Sequence, residues 1–117
     1  MSPIDTQGIN LMERFLDVTV ARQSLITSNI SNMDTPGYRT KDMDFQREMQ
    51  RVMESSGSHI TPKAGEVQGL MERPDGNNVN MDREGMLLAQ TQLQFHMGVQ
   101  IVKDQLHRVQ MALEDVK

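Results

Sequence analysis

The stretch SNISNMDTPGYRTKDMDF, residues Ser28 to Phe45, decides where the first long element of this chain stops and turns. Upstream of it, Leu11, Met12, Phe15, Leu16, Val18, Leu25, Ile26, Ile30 and Met33 recur mostly at steps of three and four, with the stripe passing through Thr19 and Arg22. That spacing puts them on one side of an amphipathic helix. Ser2 and Pro3 offer a cap and a first helical position, but Gly8 weakens that opening, so the helix is expected to start near Ile9. Proline disfavours α geometry in the residue before it, which ends the helix at about Asp34. Thr35-Pro36-Gly37-Tyr38 then reads as a type II turn, because Pro presets its second position and Gly supplies the positive φ of its third. Asn29 and Asn32 share one face of the last turns, where their amides can reach backbone groups or a neighbouring chain. On these grounds alone the segment is either plain helix termination or a docking element.

Working outward, a second periodic segment runs from about Asp82 to Val116, with Leu88, Thr91, Phe95, Gly98, Val102, Val109, Ala112 and Val116 on a heptad-like stripe widened by Leu87, Ile101, Leu106 and Leu113. Asn80 or Asp82 can cap it, and Asp82 and Glu84 complement the helix dipole. At about 1.5 Å per residue such a helix is about 50 Å long. A compact globule of this chain length is only about 35 Å across, from a radius of gyration of about 13 Å. Either the helix breaks, at Gly85 or Gly98, or the molecule is elongated. Between the two, Asp44 to Ser56 is expected to form a short helix with Phe45, Met49, Val52 and Met53 on one side. Gly57 to Asn80 is rich in Gly, Pro and Asn, with extended candidates at His59–Thr61 and Val67–Met71 and an Asp75-Gly76 turn that could close a small hairpin. The expected fold is mainly α: two long terminal helices packed as an elongated coiled-coil-like pair, with a short third helix and a small irregular or β-hairpin middle. Residues 1–35, 36–80 and 81–117 are its segments within a single structural unit.

Composition narrows the function. The chain has 117 residues, a formal charge of -4, 11 Met, no Trp and no Cys. Its charges are mixed in sign without a Lys/Arg cluster that would grip phosphates, which argues against nucleic acid. The lack of cysteine removes disulfides and thiolate chemistry. No apolar run approaches the length of a membrane span, and the first residues lack the basic and apolar regions of a secretory signal. His59, His96 and His107 form neither an i, i+4 pair nor an HExxH motif, and surface or packing roles are expected of them. The acid pairs Asp42/Asp44 and Glu114/Asp115 have no pocket or nucleophile set beside them, and read as solvated surface. No phosphate loop, nucleophile elbow or cofactor motif is found, so neither catalysis nor a cofactor is expected. A two-helix hairpin leaves most of each helix wet, so helices of this length either complete their burial against neighbouring subunits, with Gly98 and Ala112 allowing close approach, or form an ordinary hairpin capped by the middle segment.

The motif SNISNMDTPGY is more specific than that: it resembles the signature of the bacterial flagellar axial proteins, the rod and hook family, where an Asn-Ile-Ala/Ser-Asn segment followed by Thr-Pro-Gly-Tyr closes the N-terminal helix. The continuation RTKDMDF and the later DGNNVNMDRE resemble the proximal-rod branch, and the resemblance extends over essentially the whole chain. Ser31 stands where alanine is usual, Met33 replaces a smaller residue and Gly85 loosens the first turn of the last helix. The resemblance implies a structural subunit of the basal-body rod, periplasmic in location and exported without a cleaved signal by the flagellar type III apparatus. It implies as partners the chain itself, other rod proteins, the adaptor at the rod base and the export gate. The elbow Asn29, Ile30, Asn32, Thr35, Pro36, Gly37 and Tyr38 would orient the middle segment and contact a neighbour. Asn77 and Asn78 would fix the entry into the last helix, and Leu88, Phe95, Val102 and Val109 would line its packing stripe. The alternatives are another rod subunit, with distal-rod and hook proteins disfavoured by the lack of a large inserted domain, or a helical export adaptor or chaperone.

Overall fold

The computed structural model describes residues 6–54 and 62–115. Its elements are α1 (Thr6–Ser31), β1 (Lys41–Asp42), α2 (Phe45–Glu54), β2 (Gly65–Glu66) and α3 (Met81–Glu114). α1 packs along α3 and also carries α2 and β1. The molecule measures 69 × 26 × 17 Å with a radius of gyration of 18.4 Å. Of the two outcomes open to the last helix, elongation is the one realised: α3 runs unbroken through both Gly85 and Gly98. Asn80 is its cap, with Oδ1 accepting the Arg83 N–H at 3.1 Å.

α1 ends at Ser31 rather than Asp34. The Asn32 N–H is shared between the Ser28 and Asn29 carbonyls, and the Met33 and Thr35 N–H groups reach only three residues back, to Ile30 and Asn32. The backbone therefore tightens before the proline is reached, helped by the Asn32 side chain, whose Nδ2 donates to the Ser28 carbonyl at 2.8 Å. The turn that follows has the expected form: Gly37 has φ +75° and the Tyr38 N–H donates to the Thr35 carbonyl at 3.2 Å.

At Gly98 the α1 side chains press directly on the backbone of α3. A Cβ there would lie 2.7 Å from Leu16 Cδ2 and 3.2 Å from the Phe15 ring. Phe15 cannot readily yield, because its ring is held edge-on to Phe45 at a centroid distance of 5.5 Å. Gly98→Val is accordingly expected to lower stability by about 1–3 kcal/mol through overpacking, despite removing a helix glycine. Urea unfolding followed by circular dichroism checks this, and an unchanged midpoint would mean that the helices can separate at that point without loss.

α2 is capped by Asp44, whose Oδ1 accepts the Arg47 N–H at 3.3 Å. Val52 is buried with Val18 and Met43, and Ala21, Leu25, Phe45 and Met49 pack around them. Met53 does not join this side; it is 62% exposed, while Glu48 is buried in its place and held by Arg51 at 2.5 Å. The side of α2 that meets α1 thus follows Glu48 and Val52, one turn apart. The small sheet also differs from expectation. β1 pairs with β2 antiparallel, Lys41 opposite Glu66 and Asp42 opposite Gly65, across α2 rather than across a tight turn. Val67 adds one bond to the Thr40 carbonyl but Val67–Met71 forms no strand, and the His59–Thr61 candidate lies outside the described residues. The Asp75-Gly76 turn does form, with Gly76 at φ +87°, but it closes nothing in the sheet. It docks on the elbow instead: the Gly37 N–H donates to the Asp75 carbonyl at 2.9 Å, and a Cβ on Gly76 would meet Gly37 Cα at 3.3 Å.

Candidate assembly site

The end of α1, the turn after it and the entry into α3 meet in one buried polar cluster. Asn29, wholly buried, uses every bonding position it has: Oδ1 accepts from the Tyr38 hydroxyl (3.0 Å) and the Lys41 N–H (3.1 Å), and Nδ2 donates to the Lys41 carbonyl (2.8 Å) and Glu84 Oε2 (3.2 Å). Asn77, equally buried, makes three bonds from the other side, with Nδ2 donating to the carbonyls of Asn32 (2.9 Å) and Thr35 (2.8 Å) and Oδ1 accepting the Val79 N–H (2.8 Å). Asn78 Oδ1 accepts the Thr40 N–H at 2.7 Å. Arg39 and Arg73 close the rim on the Gly76 and Met33 carbonyls. The Asn32 and Thr35 carbonyls, just past the end of α1, thus each gain a second donor from a side-chain amide 45 and 42 residues later in the chain.

Charge is packed into the same junction. Asp42, expected on solvated surface, is 11% exposed and lies between Arg22 Nε at 3.1 Å and Arg83 Nη2 at 2.8 Å. Burial works to raise its pKa, but hydrogen bonds from Arg22, the Met43 N–H and Arg83, with the Arg22 charge, outweigh it and leave the carboxyl below its ordinary value. Arg83 extends the chain of charges to Glu84 Oε1 at 2.7 Å, and Glu84 is fully buried. Both long helices and the β1 strand are therefore tied by an Arg–Asp–Arg–Glu–Asn sequence of contacts. Asp44, the other half of the expected acid pair, is exposed and caps α2.

The candidate residues separate into three groups. Asn29, Asn77 and Asn78 are buried and bond within the chain, so they shape the elbow. Thr35, Pro36 and Gly37 are exposed at its tip, with Ile30, Asn32 and Tyr38 half-buried beside them. Leu88, Phe95, Val102 and Val109 are half-buried along α3, strung over about 30 Å and not gathered at the elbow. Sequence reading missed Arg22, Asp42, Arg83 and Glu84 as parts of the site. A signal was present: Glu84 falls seven residues before Thr91 on the α3 stripe, a position where an apolar residue is expected and a charge demands a partner. Among the described residues no group of three or more His, Cys, Asp or Glu could hold a metal, and no helix is long and apolar enough to cross a membrane.

Two long helices locked at one end by a rigid elbow, with apolar residues left uncovered along α3, define a helical structural subunit. The family model described as "Flagella basal body rod protein" matches residues 19–39, the second half of α1 and the elbow. Flagellar basal body rod protein FlgB of Escherichia coli (strain K12) is 31% identical, with 92% of this chain and 93% of that protein aligned. The namesake proteins of Salmonella typhimurium and Borreliella burgdorferi are 29% and 28% identical over 92% and 78% of this chain, covering 93% and 84% of their own lengths. The chain belongs to the FlgB family of flagellar basal body rod proteins and is a structural subunit of the rod.

Proposed function

We propose that this subunit polymerises through its two long helices in the proximal part of the rod and transmits torque as part of the drive shaft. The observation that carries the reading is the contrast along the molecule: the elbow end is sealed by buried polar bonds, whereas Leu93, Met97, Ile101, Leu106, Met111 and Leu113 are each at least 42% exposed on α3. Burying such side chains is worth about 1.5–3 kcal/mol each, a gain open to this helix only against neighbours. The exposed Thr35-Pro36-Gly37 tip would contact an adjacent subunit, and the stripe through Leu88, Phe95, Val102 and Val109 would settle into the inner helical layer. By family analogy the partners are the chain itself, other rod proteins, the adaptor at the rod base and the export gate, and the route to the periplasm is the flagellar type III apparatus.

Electron microscopy of basal bodies from a strain lacking the gene tests the role. Membrane rings without rod or hook, restored by the intact gene, support it; normal rods would refute it. Within that strain, Val102→Asp puts a charge in the middle of the half-buried stripe and is expected to abolish incorporation into rods. Rods at the usual number in the Val102→Asp strain would remove that stripe from the interface.

A further inference from the structure

Two exposed helix faces share a property that surface helices rarely have. From Gly85 to Val102 α3 contains no Asp, Glu, Lys or Arg, and from Val20 to Met33 the only charged residue is Arg22, which is turned onto Asp42. On α3 the charge-free run carries a ridge of Met86, Leu93 and Met97, which are 65%, 61% and 56% exposed. On α1 it carries a shallow groove of about 580 Å³ lined by Val20, Gln23, Ser24, Thr27, Ser28 and Ser31. The groove is polar in composition, but two of its hydroxyls are already spent: Thr27 Oγ1 donates to the Gln23 carbonyl at 2.9 Å and Ser31 Oγ to the Thr27 carbonyl at 2.9 Å. Covering hydroxyls whose donors are already bonded costs little.

We infer that the Met86-Leu93-Met97 ridge of one subunit docks in the Val20–Ser31 groove of the next copy of this chain. This rests on the rod-subunit reading and names the surfaces through which like subunits meet. The ridge extends over twelve residues of helix and the groove lining over thirteen, about 17 and 18 Å, so the two match in length. Unbranched Met side chains adapt to a shallow floor of small residues. Ridge and groove are different surfaces of one molecule, so the contact is heterologous and repeats from copy to copy, as a filament requires. The areas agree as well. The chain exposes 8163 Å², whereas a compact monomer of 13.3 kDa exposes about 6,450 Å², an excess of about 1,700 Å². A subunit that uses one face on each side in standard-sized contacts buries about 1,600 Å².

The test uses the natural lack of cysteine. Leu93 and Thr27 are near the middles of ridge and groove, so they meet whichever way the two helices run. In the strain lacking the native gene, a full-length chain with Leu93→Cys and Thr27→Cys should give a disulfide ladder of dimers and higher species from oxidised basal bodies, and each single variant should stay monomeric. The pair Met97→Cys with Ser24→Cys serves if the first does not build rods. Self-crosslinking by a single variant would mean an isologous contact and overturn the inference. So would monomers only from rod-bearing cells, a result that leaves the rod role itself intact. A charge in the ridge supplies the second readout: Leu93→Glu should abolish rods while leaving the melting temperature of the purified chain unchanged, because the side chain is exposed in the free subunit. Normal rods with Leu93→Glu would overturn the inference independently.

Discussion

Asn29→Ala is expected to destabilise the purified chain by about 3–5 kcal/mol, since a buried group stripped of its hydrogen-bond partner costs about 1–3 kcal/mol and this one amide serves several. It removes in one step the shorter-range partner of the Tyr38 hydroxyl, which keeps only Ser28 Oγ at 3.4 Å, and the side-chain partner of both backbone groups of Lys41 and of one oxygen of Glu84. Tyr38 and Lys41 are partly open to water and recover some of the loss, whereas Glu84 is wholly buried and does not. For a chain of this size about 4 °C of melting temperature accompanies each kcal/mol, so thermal unfolding by circular dichroism should move down by about 12–20 °C. Asn29→Asp is the sharper variant. It keeps the acceptor but exchanges the donor 3.2 Å from Glu84 Oε2 for a second carboxylate oxygen. At neutral pH it should be at least as unstable as Asn29→Ala, and part of the loss should return on acidification, when one of the two carboxyls takes up a proton. A shift of only a few degrees in both variants would show that the elbow is not held by this amide.

Asp42→Ala is expected to lower stability by about 2–3 kcal/mol, somewhat less than the range for a fully buried pair because the flanking guanidinium groups retain some access to water. Arg22 and Arg83, 14% and 22% exposed, would be left facing each other without the carboxylate that joins them. The same group imposes a pH dependence. Its folded-state pKa lies below the ordinary 3.8, so its stabilisation is complete above that value and is lost as the pH falls through the lowered one. The wild-type melting temperature should therefore decline in acid more steeply than that of Asp42→Ala, the two curves converging at the acid end. Parallel curves from pH 7 down to acid would mean that Asp42 does not stabilise the folded chain through its charge.

The helices were legible because their determinants are local. The three-and-four spacing of Phe15, Val18 and Ile26, the Asn80 cap and the stop before Pro36 each act over a few residues, and no distant contact has to be known to use them. The turn at Thr35–Tyr38 was legible for the same reason, since Pro36 and Gly37 restrict their own φ angles. Within the helices, errors fell where such local signals compete. Asn32 tightened the end of α1 ahead of the proline, and α2 turned Glu48 inward and Met53 outward because Arg51 could accompany the acid into the interface. In the assembly region the asparagines could be singled out but not connected. Asn29 bonds Glu84 across 55 positions and Asn77 bonds Asn32 across 45, distances over which one sequence carries no register.

Sequence alone determined that this chain is two long amphipathic helices about a fixed turn, and its motifs led to the rod family. Tertiary structure alone decided which polar residues go inside. Asp42 looked like solvated surface until Arg22 and Arg83 were brought to it from two different helices, and β1 found its strand partner only across α2. The physical reason is that helix periodicity and turn geometry are intrinsic to short stretches of backbone. A buried charge or amide, in contrast, is tolerable only where partners from elsewhere in the chain complete its bonds, and that condition is met or missed by the packing as a whole.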